Sequence, residues 1–138
     1  MPNESALSAL LDTILPASED GRMPSAANVG FDAYLVTQGQ AFAPALQVIL
    51  AQLGDDFTAL SAEARHEKVT ALSGADSGLF VGLLAQVYDC YYQDERVRRA
   101  IGVVQGPVFP RGNEVVQGDL SLLDPVIENA DRYRYREP

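Results

Sequence analysis

With 138 residues, 47% of them apolar, the chain is long enough to bury one hydrophobic core without crosslinks. Cys90 is the only cysteine, which excludes an internal disulfide and leaves the fold to packing. A net charge of −9 argues against nucleic acid and anionic membrane surfaces as partners, and no apolar run approaches the ~18 residues of a membrane span.

The acidity is uneven. Residues 1–94 hold twelve acids and three bases, whereas residues 95–138 hold seven of each. A solvated acidic face that aids solubility accounts for the first part. The N-terminal run MPNESALSALLDTILP has no basic leader, long apolar core or small-residue cleavage site, so it reads as mature, cytoplasmic sequence.

Helical spacing dominates the first hundred residues. Leu7, Leu10, Leu11 and Ile14 fall at i, i+3, i+4 and i+7, and Pro16 stops that helix. After a loop rich in turn formers, Phe31, Tyr34 and Leu35 mark a second helix, with Asn28 or Ser25 as N-cap and Gly39 as its end. Phe42, Leu46, Ile49, Leu50 and Leu53 form the next one-sided stripe, with Pro44 tolerated in its first turn and Gly54 closing it. Ser61 begins a fourth helix, with Glu63 in the first turn, Val69 and Leu72 on its apolar side and Gly74 at its end.

The segment from Ser77 to Tyr92 is the most apolar. Phe80, Leu83, Leu84, Val87, Tyr88 and Tyr91 line one face, while Leu79, Val81, Cys90 and Tyr92 fill much of the rest. A helix apolar nearly all round is central and buried on several sides. Asp94 then caps a short helix, ERVRRAI, that Gly102 stops. Beyond Gly102, turn signals recur every few residues, and only Asp124-Pro125 looks like a helix start, with Leu122, Val126 and Ile127 as anchors. The predicted fold is all-α: five to six helices around a central apolar helix at about residues 77–93. Residues 1–102 make the helical domain and residues 103–138 a long irregular arm.

Few residues can carry chemistry. Glu63 and His66 match the Glu-x-x-His spacing of di-iron bundles, but such a site needs two of these motifs, and His66 is the only histidine. It reads as a helix-surface residue. A thiolate at Cys90 would need a positive, accessible setting, whereas its neighbours Val87, Tyr88, Tyr91 and Tyr92 point to a buried small hydrophobe. No GxSxG elbow, P-loop or GxGxxG is present to cradle a nucleotide or flavin phosphate. The acid pairs Glu19/Asp20 and Asp55/Asp56 lie beside glycines and read as turn chemistry. The expectation is a chain without catalytic residues, cofactor or metal of its own.

Two features suggest binding. Tyr88, Tyr91 and Tyr92 precede the charged run containing Arg96 and Arg99, and tyrosine and arginine are enriched where protein surfaces meet. Tyr91 and Tyr92 point about 100° apart on a helix, so they do not face one core equally. These tyrosines either meet a partner or cover the edge of the domain's own core. The second feature is the arm, with Phe109 and Arg111 in GPVFPRG and Tyr133 and Tyr135 alternating with arginines in RYRYREP. It wraps its own helices, lies on a partner, or frays at its end.

Three short stretches together resemble the gluconate 2-dehydrogenase subunit 3 family. LLDTILPASEDGRMPSAANVGFDAYL is similar to the family's opening, through the stop Ile14-Leu15-Pro16, the polar loop to Asn28, and Phe31-Asp32. DDFTALSAEARHEKVTALS is similar to its Phe-x-x-Leu-Ser helix start, and YDCYYQDERVRRAIG to its aromatic segment. The resemblance implies a non-catalytic accessory subunit that supports assembly and stability of a large glucose-methanol-choline type flavoprotein oxidising sugars, sugar acids or alcohols. FAD would sit in that large subunit, and a cytochrome subunit can join. The twin-arginine leader of exported members has no counterpart here, so periplasmic location would require export with a partner. The alternative from the residues is a free-standing helical protein that holds a small apolar ligand near Tyr88, Tyr91 and Phe109.

Overall fold

The first helix, α1, runs Glu4–Ile14 in the computed structural model, which describes residues 4–103 and 118–129. It buries Leu7, Leu10 and Leu11 of the predicted stripe together with Ala6, while Ile14 is half-buried. A structured loop leads to a 3-10 turn at Ala26–Asn28, then to α2 (Phe31–Thr37), a 3-10 turn at Gln40–Phe42 and α3 (Ala43–Leu53). Another 3-10 turn at Phe57–Ala59 precedes α4 (Ala62–Ala75), α5 (Ser77–Tyr91) and α6 (Glu95–Ala100). No strand occurs among the described residues, so the class is all-α. The chain divides into two units, Met1–Gln105 and Gly106–Pro138.

In the first unit α1 packs on α4 and on the turns at Ala26–Asn28 and Phe57–Ala59. Helix α5 packs on α4, α2, α3 and the Gln40–Phe42 turn. Leu10, Ile49, Phe57, Leu83 and Val97, from five different elements, are fully enclosed where these helices meet. Burial of such side chains stabilises a fold by roughly 1.5–3 kcal/mol each, and one continuous cluster joins them.

Local chemistry sets the boundaries. Ser61 caps α4 by accepting from the amide of Ala64, and Asp94 caps α6 by accepting from the amides of Arg96 and Val97. Gly54 ends α3 with φ of 78°, a conformation open mainly to glycine. Three boundaries depart from expectation. Ser25 caps the Ala26–Asn28 turn through the amide of Ala27, and Gly30, at φ 75°, takes the N-cap position of α2. Gly74 lies inside α4, with nothing near enough to crowd it, and the stop comes from Asp76, whose side chain caps α5 at Leu79. Phe42, expected within the third helix, belongs to the turn before it and packs against Gly82 of α5, where a Cβ would stand 3.1 Å from its ring.

Helix α5, packed by α4, α2, α3 and the Gln40–Phe42 turn, is unevenly covered along its apolar circumference. Leu83, Val87, Cys90 and Tyr91 are buried, but Val81 and Tyr88 are exposed. Val81 and Tyr88, seven positions apart, share a solvent-facing side of α5. No helix among the described residues is long and apolar enough to cross a membrane.

In the second unit, a 3-10 turn at Leu120–Leu123 runs into α7 (Asp124–Glu128), with Pro125 in its first turn. Asp119 caps the turn by accepting from the amide of Ser121 at 3.0 Å.

Candidate functional site

Tyr88 and Tyr91 on the last turn of α5 and Tyr92 at its C-cap divide sharply in exposure. Tyr88 and Tyr92 are 42% and 50% exposed, with ring centroids 6.2 Å apart. Tyr91 is 3% exposed, and its hydroxyl donates to the carbonyl of Pro24 at 2.8 Å. It therefore leaves the candidate contact surface and belongs to the core, where burial raises its pKa above the ordinary tyrosine range. Its ring meets Tyr92 edge to face at 5.5 Å, so the buried ring supports the exposed one.

Arg96, expected to face a partner, is engaged within the chain. Its Nε and Nη2 reach the carboxylate of Asp94 at 3.1 and 2.8 Å, and Nη2 also donates to the carbonyl of Asn28 at 2.6 Å. The arginine thereby ties α6 to the Ala26–Asn28 turn. Hydrogen bonds from Arg96 hold the Asp94 carboxyl below the usual carboxylate range.

Arg99 stands one helical turn further along, and it makes no ion pair among the described residues. Arg22, Arg96 and Arg99 border one cleft of about 520 Å³. Arg22 was not among the expected site residues, because nothing in local spacing connects the 18–24 loop with a helix more than seventy positions later.

That loop owes its shape to short side chains. Ser18 donates its hydroxyl to Asp20 at 2.6 Å and accepts from the amide of Met23 at 2.9 Å. Asp20 also accepts from the amide and Nε of Arg22, and Gly21 turns the chain at φ 70°. In the second acid pair, Asp56 meets Lys68 at 2.9 Å beside Gly54. Asp20 thus shapes its own turn, as its setting beside glycine suggests, whereas Asp56 ties its turn to α4.

Cys90 is 5% exposed, its Sγ 3.8 Å from the carbonyl of Val29. Burial, and after it the charge of Asp94, pushes the thiol pKa up, the wrong direction for a nucleophile. Labelling of the native chain by a thiol reagent should be roughly a hundredfold slower than that of the unfolded chain, because it waits on local opening. Equal rates in the two states would contradict the burial. His66 is exposed on α4, and no group of three or more His, Cys, Asp or Glu side chains able to hold a metal occurs among the described residues.

Phe109, Arg111, Tyr133 and Tyr135 lie outside the described residues. What the second unit does present is a dense apolar run. Leu120, Leu122, Leu123, Val126 and Ile127 are 65%, 80%, 50%, 55% and 65% exposed. Sequence spacing identified Leu122, Val126 and Ile127 as anchors of a short helix but not as surface.

A different cleft, of about 450 Å³, opens between α2 and α3, where Leu35, Val36, Ala43 and Leu46 form an apolar wall. Comparison with protein-family models, with curated proteins and with solved structures finds no match to this chain.

Proposed function

We propose that this chain is a non-catalytic accessory subunit of a larger complex, supporting the assembly and stability of a flavin-dependent dehydrogenase of sugars, sugar acids or alcohols. The observation that carries a partner role is the apolar run Leu120–Ile127, in which five large aliphatic side chains are each half or more exposed. Exposed apolar clusters of this density mark surfaces that meet another protein. The solvent-facing pair Tyr88 and Tyr92 adds a second place of the kind found in interfaces. The burial of Cys90 supports a non-catalytic role. The flavoprotein identity of the partner rests on the family resemblance of the three sequence stretches, with FAD in that partner and a cytochrome as a further subunit.

A tagged full-length chain, purified from its native source, should bring down a larger polypeptide with flavin absorbance. Replacing Leu122 and Ile127 together with aspartate should abolish that co-elution while leaving the melting temperature unchanged, since both side chains are already exposed. A stable monomer that elutes free of any flavoprotein would sink the reading.

A second reading, a free-standing carrier of a small apolar ligand, is favoured by the cleft beside Leu35, Val36 and Leu46. That cleft lies between α2 and α3, not beside Tyr88 and Tyr91 as the sequence suggested. A small molecule in the mass spectrum of the purified chain, with no protein partner, would select it.

A further inference from the structure

We propose that the cleft between the 18–24 loop and α6 binds a small organic anion through a phosphate or carboxylate group. The inference is independent of the accessory role and stands or falls by itself.

Residues 1–94 contain only three bases, yet one of them, Arg22, is brought beside Arg96 and Arg99 at a single cleft. The favourable interaction of cations with a helix C-terminus explains a basic residue in the last turn of α6. It does not explain an arginine delivered there from a distant loop. Three arginines border one opening, and an oxyanion held there would accept paired N–H bonds from them.

The donors are available. Asp20 engages Arg22 through the backbone amide and Nε, and no contact among the described residues occupies the terminal nitrogens of that guanidinium. Arg96 spends Nε and Nη2 on Asp94 and Asn28, and no contact among the described residues occupies Nη1. No contact among the described residues occupies the side-chain donors of Arg99. The two ion pairs thus act as braces: they hold two guanidinium groups in place and leave N–H groups over.

The loop is also tied to itself and to the core. Ser18, Asp20 and Met23 close the loop on itself, and Pro24 is gripped from below by the Tyr91 hydroxyl. A preformed site loses less ordering entropy on binding. Its volume of about 520 Å³ exceeds that of a bare ion and suits a small organic molecule.

The probes are inorganic phosphate and citrate, titrated separately into the isotope-labelled full-length chain at constant ionic strength, with chloride as reference. Each should produce saturable amide shifts confined to residues 21–23 and 96–100, and the anion that binds more tightly identifies the headgroup. Arg99→Gln and Arg22→Gln, both on exposed side chains, should each weaken binding roughly tenfold, the scale of one charged hydrogen bond. Lys68→Gln removes the same charge away from the cleft and should leave affinity unchanged. Absence of saturable shifts with either anion at millimolar concentration would overturn the proposal. So would equal weakening by Lys68→Gln, which would mean a general charge effect.

Discussion

Phe57→Ala should destabilise the first unit by about 3–5 kcal/mol, the range for deleting a fully enclosed aromatic ring. Phe57 is 0% exposed and sits in a 3-10 turn between α3 and α4. The depth of the loss depends on whether the surroundings can close over the vacated space. Here they are tied open. Arg65 of α4 donates to the carbonyls of Phe57 and Thr58 at 3.3 and 2.6 Å, and Lys68 holds Asp56 at 2.9 Å. The turn is thus fastened to α4 on both sides of the missing ring, and the cavity persists. Against the total stability of a small domain, about 5–15 kcal/mol, such a loss leaves the chain close to unfolding. Urea titration should show a large fall in midpoint with an unchanged slope. A midpoint within error of wild type would remove Phe57 from the core.

Asp94→Ala should cost about 2 kcal/mol, for two reasons acting together. The carboxylate caps α6 through the amides of Arg96 and Val97, and loss of a cap costs roughly 0.5–2 kcal/mol. It also aligns Arg96 on the carbonyl of Asn28, so its removal frees the link between α6 and the Ala26–Asn28 turn. Asp94→Asn should restore the cap but not the ion pair, and fall between. The pH dependence follows from the lowered carboxyl pKa. Because the folded value lies below the unfolded one, near 3.9, the stabilisation is complete above the unfolded pKa. It is lost as pH falls through the folded value. Melting temperatures measured from neutral pH down through that window should converge for wild type and Asp94→Asn. A gap that stays constant with pH would assign the effect to packing.

The helical class and most of the core were legible in the sequence because amphipathic spacing is a local property. Leu7, Leu10 and Leu11 on α1, and Leu46, Ile49 and Leu53 on α3, are buried as their stripes require. Ser61 and Asp94 announced their caps by chemistry readable within three residues. Gly74 misled because glycine signals a possible stop, whereas packing and the adjacent Asp76 cap placed the actual boundary.

The surface was less legible. The 100° offset of Tyr91 and Tyr92 says that one turns inward, but only the position of Pro24 decides which. Arg96 looked like a free interface cation, and its use inside the fold depends on Asn28, sixty-eight positions away. The convergence of Arg22 with Arg96 and Arg99 is likewise a product of the tertiary fold.

The hydroxyl of Tyr91 has an optical consequence. The chain contains no tryptophan, so its near-ultraviolet signal comes chiefly from six tyrosines. Among the described tyrosines, Tyr91 is the one whose ring lies in the core while its phenol oxygen touches the loop that carries Arg22. Burial favours its neutral form, so the fold delays phenolate formation and is itself weakened as pH rises through the raised value. With Tyr34 as the other described tyrosine whose ionisation burial delays, a phenolate titration of wild type against Tyr34→Phe therefore reports, without any label, whether α5 and the 18–24 loop are still joined.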